Sequence, residues 1–266
     1  VKKYYDKVND RLVFVQGRAD SEYWDEHWSC VSRNDLVAQI KVRNRFVLGQ
    51  TEKYLPKGSV VLEGGCGRGQ NVWTLQQAGY DCWGADFAAE TVEMVHEVMP
   101  DLKVSVTDVR NLSFESDFFD GYWSLGVIEH FFGGYSEIRD EMRRVLRRHG
   151  ILFLTAPSMS LLRRVKAELG RYEPFLKERF SQDAFYQFAL SDERIITDFT
   201  ASGFKLLAHK KISGLKGLKD EVSLVRKPLQ KLYDSRSRTS QAIHKALDVS
   251  FRNLTNHMSY FVLQKC

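Results

Sequence analysis

Ser59-Val60-Val61-Leu62-Glu63 is a short β-rich run that ends in Gly64-Gly65. After Gly69 the chain changes at once to helical spacing, with Val72, Leu75 and Ala78 on one face and Gly79 closing it. A strand that passes through glycines into a helix buries its apolar residues most simply by repeating the unit, and repeats follow. Cys82-Trp83-Gly84-Ala85-Asp86 reads as a second strand, and Val92, Val95 and Val98 as a helix stopped by Pro100. Residues 103–108 read as a third strand and 119–127 as a fourth. Ile138, Met142, Val145 and Leu146 mark another helix, whose negative C-terminal end suits Arg147, Arg148 and His149, with Gly150 as its cap. Residues 151–156 are apolar on both faces, as in a parallel sheet covered by helices. The βαβα rhythm predicts a doubly wound α/β fold, to which residues 203–208 and 258–263 add two strands.

Three segments fall outside this frame. Residues 1–55 carry Tyr4, Tyr5, Tyr23, Trp24 and Trp28. Residues 158–200 begin with an aromatic stretch containing Phe175, Phe180, Phe185, Tyr186 and Phe188, read as mostly helical. In 214–257, Val222, Val225, Leu229 and Leu232, then Ile243, Leu247, Phe251 and Leu254, have helical spacing, and Pro228 starts or kinks a helix. The expected organisation is a helical cap segment at 1–55 and a main domain at 56–266 with helical insertions at 158–200 and 214–257, the cap lying over a ligand crevice.

Composition excludes several classes. With 43% hydrophobic residues the 266-residue chain can offset its ordering entropy, and with 18 Gly and 5 Pro it is not collagen-like. No apolar run approaches the roughly 20 residues that span a bilayer. Val1-Lys2-Lys3-Tyr4-Tyr5-Asp6-Lys7 lacks the apolar stretch of a signal peptide, so a cytoplasmic location is expected. Cys30, Cys66, Cys82 and Cys266 have no metal-ligand or disulfide spacing and are expected as reduced, mostly buried thiols; no metal is expected. Charge is uneven. Residues 1–156 have 19 basic against 23 acidic residues, and 157–266 have 20 against 11.

The loop Glu63-Gly64-Gly65-Cys66-Gly67-Arg68-Gly69 lets the backbone approach a ligand closely. The dinucleotide pattern G-x-G-x-x-G fails in both registers, because Gln70 or Val72 stands where the last glycine belongs. The spacing Gly65, Gly67, Gly69 after an acid resembles motif I of class I S-adenosylmethionine-dependent methyltransferases. Later motifs match in order: Asp86 after the second strand, Asp108-Val109 after the third, residues 119–130 for the fourth strand and 144–154 for the following helix and strand.

The resemblance, of the small-molecule type and close to ubiquinone-biosynthesis methyltransferases, implies a Rossmann-like seven-stranded, mostly parallel sheet with its last strand antiparallel. It implies S-adenosyl-L-methionine as cofactor. Its expected contacts are Glu63, Gly64, Gly65, Cys66, Gly67, Gly69, Asp86, Phe87, Asp108, Val109 and Leu125, with Asp86 at the ribose hydroxyls and Asp108 at the adenine amino group. Read from the residues alone, Asp86 and Asp108 could instead cap helices. Cys66 reads as a small residue fitting a tight turn, and Glu63 as ordering the loop.

Methyl transfer is an in-line displacement that needs a positioned nucleophile and at most a general base. His130, with Glu129, lies just past the fourth strand at the ligand edge and is the candidate base; the alternative is that the pair only organises its loop. Ubiquinone-type enzymes have a further Glu three residues before this pair, where this chain has Gly126, which argues against a metal-assisted route. Trp24 and Trp28 either close over the substrate or pack a helix face. The absence of an Asn/Asp-Pro-Pro-aromatic run argues against base or amide methylation, so a small-molecule, glycan or lipid-type acceptor, methylated on oxygen, is preferred. RNA or protein methylation through the basic C-terminal part, and a regulatory protein that binds cofactor without turnover, are the alternatives. Nucleic acid is not the expected partner, and 214–257 is a candidate for peripheral membrane contact. Oligomeric state is left open.

Overall fold

Alternating residues of the central strands go to two separate cores, which is what a sheet covered on both faces requires. The computed structural model describes all residues but 18, 30–32 and 236, together with the backbone but not the side chains of Trp28 and Ser29. In chain order the elements are β1 (Lys2–Asp6), β2 (Arg11–Val15), α1 (Ser21–Ser29), α2 (Arg33–Ile40), α3 (Arg45–Tyr54), β3 (Val60–Gly64), α4 (Gln70–Gln76), β4 (Asp81–Asp86), α5 (Ala89–Val98) and β5 (Val104–Val106). There follow β6 (Phe119–Leu125), α6 (Ser136–Val145), β7 (Leu146–Pro157), α7 (Leu161–Glu168), β8 (Glu173–Pro174), β9 (Phe185–Ala189) and α8 (Asp192–Ala201). The chain ends with β10 (Phe204–Ile212), α9 (Gly214–Glu221), α10 (Ser223–Asp234), α11 (Arg238–Thr255) and β11 (Met258–Lys265).

The main sheet has the order β10-β11-β7-β6-β3-β4-β5. Strands β3 to β7 are parallel, and β11 is antiparallel to both β7 and β10, as expected for the last strand. Leu62, Tyr122, Leu152, Leu154, Phe261 and Leu263 face one core with Ile138, Met142 and Phe199. Val61, Cys82, Trp123, Phe153, Tyr260 and Val262 face the other with Val47, Val72, Leu75, Val92 and Val95. Trp123 is stacked on Phe153 at 4.3 Å, and its indole N–H donates to Thr51 Oγ1 at 3.0 Å, which fixes α3 to the sheet.

The ends of the chain segments differ from expectation. Residues 1–55 are not a helical unit. They open with a hairpin in which Lys2 pairs with Val15 and Asp6 with Arg11, turning through Asp10 at φ 46. The insertion after β7 is only partly helical, because β8 and β9 complete a second sheet, β8-β1-β2-β9, with that hairpin. Arg147, Arg148 and His149 do not end a helix either. Helix α6 stops at Val145, and the three residues lie in a bulge at the start of β7, where Arg147 pairs with Asp120 at 2.7 Å. The left-handed residue there is His149 (φ 64), not Gly150. Pro228 lies inside α10. Cys66 and Cys82 are buried thiols, Cys266 is exposed, and Cys30 lies outside the described residues. Helices α10 and α11 carry exposed Leu224, Ile243, Val249 and Leu254; no described helix is long and apolar enough to cross a membrane.

A buried charge cluster locks the second sheet to the main domain. Glu221 at the end of α9 accepts from Lys3 (2.7 Å), Arg163 (3.0 Å), Lys166 (2.7 Å) and the Tyr172 hydroxyl (2.6 Å). Burial raises the Glu221 carboxyl, but the Arg163 and Lys3 charges and the lysine hydrogen bonds outweigh it and hold it at about 2. Its folded value is thus depressed, so its contribution to stability is present above pH ~4.5 and is lost as pH falls toward 2. Replacing Glu221 with Leu strands Arg163, whose side chain is 1% exposed. We expect a loss of about 3–5 kcal/mol in urea unfolding at pH 7 and a much smaller difference at pH 3; equal losses at both pH values would contradict this role.

Candidate active site

β3 and β4 stay paired to Gly64 and Ala85, and the glycine loop that follows is held by the strand beside it. The N–H groups of Gly65 and Cys66 donate to the Ala85 carbonyl at 2.7 and 3.1 Å, and Gly67 N–H donates to Asp86 Oδ2 at 2.7 Å. Asp86 Oδ1 accepts from Ala88 N–H at 3.0 Å. Gly65, Gly67 and Gly69 have φ 75, 49 and 72, a region costly for side chains. A Cβ on Gly65 would collide with the Val127 side chain across the loop. Below, Glu63 accepts from the Asn71 side chain at 2.6 Å and from Val72 N–H, tying the loop to the start of α4. Asn71 in turn accepts from Asn44, the N-cap of α3.

A crevice of about 530 Å³ opens above this loop, within the range of small-molecule sites. Of the expected residues, Trp24, Gly65, Gly67, Asp86, Phe87, Val109, Leu125 and His130 line it. Glu63 and Cys66 are buried behind the loop, with Gly64 at the end of β3 and Gly69 as the N-cap of α4. Burial pushes the Cys66 thiol up, in keeping with a space-filling role. Asp108 does not line the crevice. Its carboxylate is held by Arg110, with contacts of 3.0, 3.1 and 2.6 Å, and the Arg110 hydrogen bonds hold it below its usual value. Trp28 is on α1, but its side chain lies outside the described residues.

Glu129 and His130 share a single 3-10 turn, Ile128–His130, and so point apart. His130 lies on the crevice wall. Its Nδ1 is 2.9 Å from the Tyr186 carbonyl, an acceptor, so Nδ1 carries the proton and Nε2 keeps its lone pair. Trp24 meets the ring edge-on at 5.1 Å and Tyr186 at 5.3 Å. Burial lowers the His130 pKa, only partly opposed by that carbonyl, so the ring is neutral at pH 7. Glu129 points inward, where Oε2 has no partner. Burial pushes it from the usual 4.5 to about 8, and burial likewise takes Glu63, whose Oε2 is also without a partner, to about 8.

Residues the sequence reading missed close the other side: Asp20 and Ser21 before α1, Phe131 to Gly134 after His130, and Gln182 and Phe185 from the insertion. Helix α1 is pinned over the crevice by Asp25, which accepts from Thr91 N–H and Oγ1 at 2.9 Å each, at the start of α5. The Gly133-Gly134 pair after two phenylalanines was the local signal available; Gln182 and Asp20 had none.

A family model described as Methyltransferase domain matches residues 62–154. Comparison with curated proteins gives no match. Among solved structures, a SAM-dependent methyltransferase from Methanosarcina mazei is similar at TM-score 0.54 and 17% identity, covering 81% of this chain and 96% of that one. Geranyl diphosphate C-methyltransferase from Streptomyces coelicolor A3(2), in complex with S-adenosyl-L-homocysteine, is similar at 0.55 and 12%, covering 94% and 100%. The cyclase SpnF is similar at 0.56 and 14%, covering 95% and 98%. At these identities the structures show a common fold.

Above pH ~4.5 an unfolded Glu129 ionises, whereas the folded one stays protonated to about 8, so stability is lost as pH rises through that window. Glu129→Gln is expected to raise the melting temperature of the ligand-free protein more at pH 8 than at pH 5. An equal shift at both pH values would show that Glu129 is ionised in the fold.

Proposed function

The chain carries a class I S-adenosylmethionine-dependent methyltransferase domain, and on that premise we propose that it methylates an oxygen of a small-molecule, glycan or lipid-type acceptor with His130 as general base. The observation that carries this reading is the orientation of His130: a neutral imidazole on the crevice wall, Nδ1–H fixed on a backbone carbonyl and the basic Nε2 left over.

The residues present fit the cofactor. Gly65 and Gly67 put bare backbone on the crevice wall, packed so closely that a Cβ on Gly65 would strike Val127, and Asp86, 7% exposed, lies on that wall with an acceptor carboxylate. We assign Asp86 to the ribose hydroxyls and Phe87 and Val109 to the adenine. Asp108 fixes Arg110 and so supports the turn that presents Val109. When bound, S-adenosylmethionine supplies a methyl group already activated by its sulfonium. The chain's part is then to orient the acceptor, remove its proton and exclude water. Trp24, Phe131, Phe132 and Phe185 give the acceptor side an aromatic wall suited to an apolar body. His130 Nε2 takes the acceptor proton as the new O–C bond forms.

Labelled methyl groups incubated with protein and a metabolite extract should appear in low-molecular-mass, base-stable ether products, and transfer into RNA or protein would overturn the acceptor assignment. With an acceptor in hand, kcat/KM should rise with pH through a midpoint below 6.5 and be flat above 7. His130→Gln should abolish that limb and lower kcat by about 10²–10⁴ while leaving S-adenosylhomocysteine affinity unchanged. An unaltered profile in the variant would remove His130 as the base.

A further inference from the structure

A second cleft, of about 340 Å³, adjoins the crevice and shares Phe132, Gly133, Gly134 and Ser136 with it. The two differ in charge. The crevice presents Asp20, Asp86 and Glu137, and its arginine, Arg110, is neutralised by Asp108. The second cleft presents Arg11 from β2, Arg139 from α6, Lys177, and Arg194 from α8. Its lining has one carboxylate, Asp198, which is engaged by the Tyr135 hydroxyl at 2.7 Å; Asp6 and Asp140 pair Arg11 and Arg139 from outside the lining.

Two of the cations are fixed in place. Arg11 is paired with Asp6 at 2.9 Å and lies over the Phe188 ring at 3.7 Å, and Arg139 is held by Asp140 at 2.8 Å. The other two are uncommitted: among the described residues neither Arg194 nor Lys177 has a carboxylate within ion-pair distance, and the Arg194 guanidinium donates only to the Val8 carbonyl, at 3.2 Å. Two ten-residue helices, α6 and α8, also begin at this cleft, through Tyr135-Ser136 and Ser191, and at neither start does the N-cap side chain cap the helix. Acids in their first turns, Glu137 in α6 and Asp192 and Glu193 in α8, offset these dipole ends, so the helix starts add little to the charge of the cleft. Arg194 and Lys177 thus leave an excess of positive charge in the cleft that an anion would compensate.

We propose that this cleft binds the phosphate ester end of the acceptor, so that the enzyme methylates a phosphorylated small molecule whose reacting hydroxyl reaches His130 over the shared Phe132–Ser136 edge. This rests on the methyltransferase reading above and narrows its acceptor. Arg194 and Lys177 supply the free charge-assisted donors, Arg11 and Arg139 further guanidinium N–H groups held in place by their carboxylates, and Phe132 the apolar surface between the two ends.

Calorimetry with inorganic pyrophosphate as the probe tests the subsite, with S-adenosylhomocysteine titrated in parallel. One pyrophosphate per chain is expected, weakened at least about tenfold in Arg194→Gln/Lys177→Gln and largely retained in Arg194→Lys, with S-adenosylhomocysteine affinity unchanged and the ligand-free melting temperature not lowered in either variant. Pyrophosphate should also inhibit methyl transfer into the extract, and phosphatase treatment of the extract should abolish it. Pyrophosphate binding that is absent, or equal in the double variant, would overturn the subsite, as would transfer indifferent to phosphatase. A protein that fails to bind S-adenosylhomocysteine would instead overturn the reading beneath it.

Discussion

The site depends on one short contact, the hydrogen bond from Gly67 N–H to the Asp86 carboxylate. It joins the loop after β3 to the end of β4, at the carboxyl ends of the parallel strands, where the crevice opens. The contact is possible because glycines allow three left-handed turns in five residues and because Asp86 is the last residue of its strand. It orients a buried carboxylate whose other oxygen takes Ala88 N–H, so the group is rigid before any ligand arrives. Rigid acceptors aimed into a partly dry crevice bind hydroxyl groups without reorganisation cost, the property the proposed ribose contact calls for.

Around that fixed half the chain builds a second half from distant segments. The hairpin at residues 2–15 and the strands after β7 form one small sheet, and its β9 carries Tyr186, whose carbonyl sets the His130 tautomer. The His130 ring is thus oriented by an element that has no part in the main sheet. The Glu221 cluster holds the small sheet through Lys3 and α7 through Arg163 and Lys166. The small sheet, α7 and α9 therefore share one electrostatic lock.

The parts legible in the sequence were those set by local pattern. Strands β3 to β7 announced themselves by apolar runs, and the loop by its glycines, because each signal lies within a few residues. Asp86 was found by its place after a strand. Asp108 was placed in the same way, yet Arg110, two residues on, claims its carboxylate, a competition that spacing does not reveal. The hairpin was missed because Lys2-Lys3-Tyr4-Tyr5-Asp6 is half polar and the two strands gain their outer partners, β8 on β1 and β9 on β2, from residues more than 165 positions away. The insertion was read as mostly helical, whereas Phe185 and Phe188 lie in β9, whose faces are set by pairing with β2. The basic cleft was invisible for the same reason, since Arg11, Arg139, Lys177 and Arg194 meet only in three dimensions.

The claim at the centre is that the loop around Gly67 and the Asp86 carboxylate grip an adenosyl group joined to sulfur and not a dinucleotide. Isothermal titration of wild-type protein and Asp86→Ala with S-adenosylhomocysteine and with NAD tests it most directly. The account predicts one S-adenosylhomocysteine per chain in the wild type, affinity lower by at least about 100-fold in the variant, and no heat with NAD. Binding of NAD by the wild type, or equal S-adenosylhomocysteine affinity in the two proteins, would contradict it.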